Sequence, residues 1–279
     1  MKFKPFAYPY IIWMIFFIVL PLGMVFFAAL KSTEGAFTLA HFAKFFSRDY
    51  LTVFGRSLWL AFISTIICLL LGYPAAAFLA NRRLKNSSFL LVLFLLPMWM
   101  NFLLRTYAWV VLLEEGGIIQ SIIRAFGIHN PPRMLYTQGA VVLGMVYNFL
   151  AFMILPIHTA LNKMDPHLIE AAQDLGAGPA RVFRRVTLPL SMPGVISGIV
   201  MVFMPAASTF AISGLLGGGK VMLIGDLIEN QFFNARNPGF GSALSIVLMV
   251  IMLLSMRLVN GAGEALPEQN RVRKRRAAR

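Results

Sequence analysis

The chain has 279 residues, of which 58% are hydrophobic and only 13% charged, with a mean hydropathy of +0.75. A soluble domain carries about a quarter charged residues, so lipid must be the solvent for most of this surface, and one integral-membrane domain accounts for nearly all the length. The net charge of +14 would suit nucleic acid if it covered a globular surface, but the basic residues lie between apolar runs and in a tail, which excludes that reading.

Lys2 and Lys4 precede an apolar stretch from Tyr8 to Leu30. That stretch is too long for the core of a signal peptide and predicts a first transmembrane helix that stays attached. Further spans are predicted near 57–80, 89–113, 138–160, 192–215 and 241–259, each near the twenty residues a bilayer requires. The fold class is therefore all-α and integral to the membrane, with six spans in residues 1–260 and a basic tail over 261–279. Pro97 and Pro205 fall inside the third and fifth spans, where neighbouring helices and water can satisfy the freed carbonyls. Cys68 is the only cysteine and lies in an apolar run, so it reads as a buried structural thiol with no disulfide partner.

Lys and Arg set the orientation. With the N-terminus inside, sixteen of the 25 face the cytoplasm. They are Lys2, Lys4, Arg82, Arg83, Lys85, Lys163, Arg181, Arg184, Arg185, Arg257 and, in the tail, Arg271, Arg273, Lys274, Arg275, Arg276 and Arg279. Eight face outward (Lys31, Lys44, Arg48, Arg56, Arg124, Arg133, Lys220 and Arg236), and Arg105 lies within a span. The bias predicts both termini in the cytoplasm, with the tail drawn to anionic membrane lipid. No internal repeat is evident, which counts against an inverted-repeat carrier.

The loop between the fourth and fifth spans, 161–190, is the long one on the inner side. Asp165-Pro166 can open a helix, Asp as cap and Pro in the first turn. Helix formers follow to Leu175, and Gly176 permits a turn that side chains resist. A second short helix is expected near 179–186, stopping before Pro189. Such a helix–glycine–helix elbow suits docking into another protein's groove, or else lies as an amphipathic loop on the membrane.

Glu170-Ala171-Ala172, then Gly176, then Val186-x-Leu188-Pro189 resembles the EAA loop of bacterial ATP-binding-cassette (ABC) importer permeases, with Val186 where the family has Ile. The resemblance implies a coupling segment of Glu170, Ala171, Ala172, Asp174, Gly176, Val186, Leu188 and Pro189, seated on a cytoplasmic ATPase dimer. It also implies a second homologous permease, an extracytoplasmic solute-binding protein, and ATP held by the partner rather than by this chain.

Pro97-Met-Trp99-Met-Asn101 through Arg105-Thr-Tyr107-Ala-Trp109, and Gly144-Met-Val-Tyr147, are similar to spermidine/putrescine-type permeases, although Ala151 replaces a usual Pro. Leu223-Ile-Gly225-Asp226 with Glu229 and Gln231-Phe232 resembles the same group, and Gly214 stands where that group has Asp. For a cationic solute, rings and weak anionic contacts suffice. Candidates for the path are Trp99, Asn101, Tyr107, Tyr147, Asp226 and Glu229, with Trp109, Glu114 and Glu115 as further possibilities. The same aromatics also fit an interface belt. Related permeases for opines, iron complexes or phosphonates are the alternative substrate classes, and an ion-gradient carrier is the alternative mechanism.

Gly214 to Gly219-Lys220 formally matches a phosphate-binding loop, but Val221 cannot ligate magnesium, so the glycines read as a re-entrant or gate loop. His41, His129, His158 and His167 are scattered, and no nucleophile–base pairing falls on one face of a span, so no enzyme activity is expected. Arg105 is the ionisable residue deepest in a span. It either acts in transport, snorkels outward, or pairs with Asp226 or Glu229.

Overall fold

The computed structural model describes residues 4–31, 37–81, 87–128 and 131–264. Lys2, Arg82, Arg83, Lys85, His129 and the basic tail residues from Arg271 to Arg279 lie outside the described residues.

The N-terminal rod is α1 (Lys4–Met14), a π turn (Ile15–Val19) and α2 (Leu20–Leu30). Within its span Tyr8–Leu30 only Ala29 is buried, and Phe16, Phe17 and Met24 are all exposed. A helix apolar on every side and covered by protein along only part of its surface has lipid as its other neighbour. After the short α3 (Ala40–Phe45) comes α4 (Arg48–Leu79), a 32-residue helix that begins well before the predicted 57. Asp49 in its first turn complements the positive helix end.

The predicted third span is not one helix. α5 (Ser87–Leu95) gives way to a 3-10 turn (Leu96–Trp99), and the chain then restarts as α6 (Phe102–Leu113), with α7 (Ile118–Ala125) after it. The segments Phe89–Trp99 and Phe102–Ala125 meet at 86°. Pro97 has no amide to continue the ladder. Asn101 adopts ψ 127° and uses its side-chain oxygen to accept from the amides of Leu103 (2.9 Å) and Leu104 (3.2 Å), starting a new helix instead of extending the old one.

α8 (Gln138–Asn162) opens at Thr137, whose hydroxyl accepts from the Ala140 amide, and matches the predicted fourth span. α9 (His167–Asp174) and α10 (Pro179–Val182) follow, and then a π turn (Phe183–Thr187) leads into α11 (Leu188–Ser208). The second elbow helix therefore does not stop before Pro189; Pro179–Ser208 is one continuous helix. The carbonyl that the Pro189 ring would strike belongs to Arg185, which lies inside the widened π turn. The N-terminal rod repeats the device, with Pro21 four residues after Phe17 of its own π turn.

The fifth span also ends early. Thr209 turns extended, at ψ 143°, and residues 211–217 form a separate helix, α12 (Ala211–Gly217). α13 (Ile224–Phe233) connects to the last span, α14 (Pro238–Glu264). Among the described residues, five helices are long and apolar enough to cross a bilayer, or six with the bent pair counted as one span.

α8 is the axis of the bundle, packed by α4 on one side and α11 on the other. Met145, Met153, Ile154 and Ile157 of α8 are fully buried against Leu60, Cys68 and Leu79 of α4 and Val195 and Val202 of α11. The α8–α11 approach depends on Gly194, where a Cβ would stand 2.6 Å from both the Pro156 carbonyl oxygen and the Ala160 Cβ. A second cluster of Phe45, Ile224, Leu227, Phe240 and Leu244 ties α3 and α13 to α14, along which α2 lies.

Candidate functional site

The elbow projects from the end of the bundle where α8 finishes and α11 begins. Asp165 Oδ1 accepts from the His167 amide at 3.0 Å and opens α9. The other end closes with two bonds: Gly176 N–H to Gln173 O (2.8 Å) and Ala177 N–H to Ala172 O (3.0 Å). This double closure requires a left-handed residue, and Gly176 supplies it at φ +77°.

Glu170 and Asp174 lie on the exposed surface of α9, and His167 Nδ1 sits 3.1 Å from Glu170 Oε2. Ala171 is exposed and Ala172 half-buried, while Leu175 at the tip is 88% exposed. An apolar tip beside a fixed carboxylate is a surface with something to bury. Val186 lies in the π turn, and Leu188 and Pro189 begin α11. All eight residues of the predicted coupling segment thus fall on one continuous unit from α9 to the base of α11.

That unit is anchored to the core by residues the sequence motif did not include. Val182 is buried, Phe183 packs edge-on against Tyr73 of α4 at 5.7 Å, and the Tyr73 hydroxyl lies 2.9 Å from Ser191 Oγ. The elbow is therefore tied to α4 as well as to α11. Tyr73, an aromatic with a polar tip inside an apolar run, was the available signal. Between α8 and α11, a groove of about 580 Å3 opens beside the elbow, lined by Pro156, Ala160, Lys163, Leu168, Pro193 and Ser197.

The path candidates are less unified. Trp99 is 84% exposed at the break in the third span, Asn101 is occupied in capping α6, and Tyr107 is exposed on that helix. Tyr147 meets Trp109 edge-on at 5.4 Å, joining α8 to α6. Asp226 and Glu229 sit one turn apart on α13, at the opposite end of the bundle from the elbow, and α12 packs against α6, α8 and α13 alike.

Asp226 Oδ2 accepts from the Leu223 amide at 2.7 Å. Burial pushes its carboxyl up to about 6, against the opposing pull of the Leu223 amide and the Ser213 hydroxyl. Two further bonds hold this corner: Ser57 Oγ accepts from the Ile224 amide at 2.7 Å, and the Arg56 guanidinium donates to the Met222 carbonyl.

Arg105 neither snorkels nor pairs as expected. It is 8% exposed, and its Nε finds no hydrogen-bond partner among the described residues. It also makes no ion pair with Asp226 or Glu229 among them. Asp226 is instead directed at the start of its own helix. The glycine-rich 214–219 segment is half helix, with Gly218 and Gly219 in the left-handed turn after α12.

An apolar bundle with a broken third span, a polar corner at one end and an anchored elbow at the other is the architecture of a multi-pass integral membrane protein. The chain belongs to the family of binding-protein-dependent transport system inner membrane components, whose match covers residues 68–262. It is therefore a multi-pass inner-membrane transport subunit of an ABC importer and not an enzyme.

The chain is 42% identical over 249 residues to the spermidine/putrescine transport system permease protein PotB of Haemophilus influenzae, covering 87% of each. It is 38% identical over 251 residues to PotB of Escherichia coli, covering 88% of this chain and 91% of the relative. Among solved structures, a bacterial ABC transporter involved in import of the acidic polysaccharide alginate matches with a TM-score of 0.79 at 17% identity over 93% of both chains. The inward-facing MetNI methionine transporter matches with a TM-score of 0.53 at 16% identity, covering 77% of this chain and 92% of that one. These two likenesses establish the fold alone.

Proposed function

We propose that this chain is a permease subunit of a polyamine importer, carrying spermidine or putrescine inward at the expense of ATP hydrolysed by partner subunits. The observation that carries the substrate class is the 42% identity to PotB over 87% of both chains. Both termini are cytoplasmic, in keeping with the basic bias of the inner loops. The assembly contains a second homologous permease, an ATPase dimer and an extracytoplasmic binding protein.

The elbow is the coupling element. Closure of the ATPase dimer moves α9, with Glu170 meeting a basic residue of the ATPase and Leu175 burying its side chain. Because the elbow is continuous with α11 and is pinned to α4 through Tyr73, its displacement tilts both spans against α8. The path then opens alternately to the two sides. Asp226 and Glu229 form an anionic outer entrance, and Tyr107, Tyr147 and Trp99 offer ring faces that attract an ammonium without trapping it. Asn101 fixes the bend that exposes Trp99.

The deciding experiment is ATPase activity of the reconstituted complex with its binding protein across a solute panel. Stimulation by spermidine or putrescine, abolished by Glu170→Arg, is the expected result. Stimulation by an opine, an iron complex or a phosphonate instead would keep the coupling role and replace the substrate. Uptake driven by a proton gradient with no ATPase present would overturn both.

A further inference from the structure

At the end of the bundle opposite the elbow, a cleft of about 380 Å3 opens between the end of α2, the short α3 and the α13–α14 turn. Its rim carries Lys31, the His41 imidazole and Arg236, and no carboxylate lines it among the described residues. Neither Lys31 nor Arg236 makes an ion pair among the described residues. The Lys31 ammonium stands over the Phe27 ring, 5.8 Å from its centroid, a contact that leaves its charge unneutralised. Cations without carboxylate partners from separate elements around one cleft call for an anion.

The backbone is arranged to present these groups. Arg236 has φ +49°, a conformation side chains other than glycine adopt at a cost. The turn is held there by Ala235 N–H on Asn230 O (2.8 Å) and Asn237 N–H on Gln231 O (2.9 Å). The His41 ring lies against Gly239, with Nε2 3.3 Å from the Lys31 carbonyl oxygen.

The depth of the cleft names the anion. Lys31 is the first residue beyond the span Tyr8–Leu30, and Arg236 stands two residues before the span that begins at Pro238. Both cations therefore lie at the edge of the roughly 30 Å hydrocarbon layer, where phospholipid phosphates sit. The lining between them is apolar, with Ala28, Ala235 and Pro238. Directly beneath runs the rod of α1 and α2, whose uncovered apolar faces offer acyl chains a surface along its whole length.

We propose that this cleft is a specific site for an anionic phospholipid. The phosphate and acidic headgroup lie between Lys31 and Arg236 beside His41, and the acyl chains descend along the N-terminal rod. The site is independent of the solute and of which way the chain crosses the membrane. A bound lipid would cement α2 to the α13–α14 corner, where α14 and α3 are the rod's main protein neighbours among the described residues.

The test is native mass spectrometry of the full chain, released with its complex from nanodiscs of mixed phosphatidylglycerol and phosphatidylcholine. Phosphatidylglycerol should be retained preferentially. Arg236→Asn, which keeps a residue tolerant of the left-handed backbone, should weaken retention roughly fivefold, and the double variant with Lys31→Gln roughly thirtyfold. Arg184→Gln at the other end of the bundle should leave retention unchanged. Equal retention of the two lipids, indifference to Arg236→Asn in a normally folded protein, or displacement of the lipid by inorganic phosphate alone would each overturn the proposal.

Discussion

Asp226→Asn exposes the balance of forces at the outer corner. Burial raises this carboxyl from 3.8 to about 6, so the folded chain holds the proton more tightly than the unfolded one. For an acid shifted upward, the stabilising contribution is present below about 3.8 and is lost as pH rises through about 6. The full difference corresponds to about 3 kcal/mol, an upper bound that solvent screening at a partly exposed site reduces. Asparagine keeps an oxygen for the Leu223 amide but carries no charge. The stability of Asp226→Asn relative to wild type should therefore rise between about pH 4.5 and about pH 7.5. About 2 kcal/mol of that bound falls between these two pH values, and at half of it the relative gain is about 2–4 °C in Tm. Thermal unfolding in detergent, followed by tryptophan fluorescence at both pH values, measures it. A difference that is flat with pH, or that falls as pH rises, would mean that the amide and Arg56 stabilise the carboxylate more than burial penalises it. Polyamine uptake should fall in the same variant, since the charge that costs stability is the one proposed to attract the solute.

Three other substitutions separate the elbow from the bundle. Glu170→Arg should abolish solute-stimulated ATPase activity while leaving expression and Tm unchanged, because the side chain is exposed and its ion-pair partner among the described residues is the equally exposed His167. Gly176→Val places a β-branched residue at φ +77° and should cost about 1–2 kcal/mol locally, loosening the elbow and reducing coupling with little effect on global unfolding. Hydrogen exchange at Gln173 to Ala177 would report the loosening. Gly194→Val forces a side chain onto the Pro156 carbonyl and should lower global stability by about 1–3 kcal/mol, read as a lower Tm with the elbow sequence intact.

The elbow was legible in the sequence because its signals are local. Asp165-Pro166 and Gly176 each act within a turn of where they stand, and the helix they delimit is the helix observed. The same locality misled at Pro97 and Pro189. A proline removes one amide in either case, yet the first marks a sharp break and the second sits in an unbroken helix. What separates them is the neighbouring backbone: Asn101 offers a cap for a fresh start, and the π turn around Arg185 makes room for the ring. The ends of the helices were not legible where a helix runs on past the apolar stretch, as in α4, or breaks inside it, as at Thr209.

The sequence by itself determined the solvent, the number of apolar segments and the place of the elbow, since each follows from composition or from contacts a few residues long. Only the tertiary structure decided that Tyr73 ties the elbow to α4 and that Arg105 is buried away from Asp226. It alone brings Lys31, His41 and Arg236 to one cleft. Those facts depend on which helices meet. Meeting depends on side-chain volumes such as the missing Cβ at Gly194, summed across residues far apart in the chain, which no local pattern encodes.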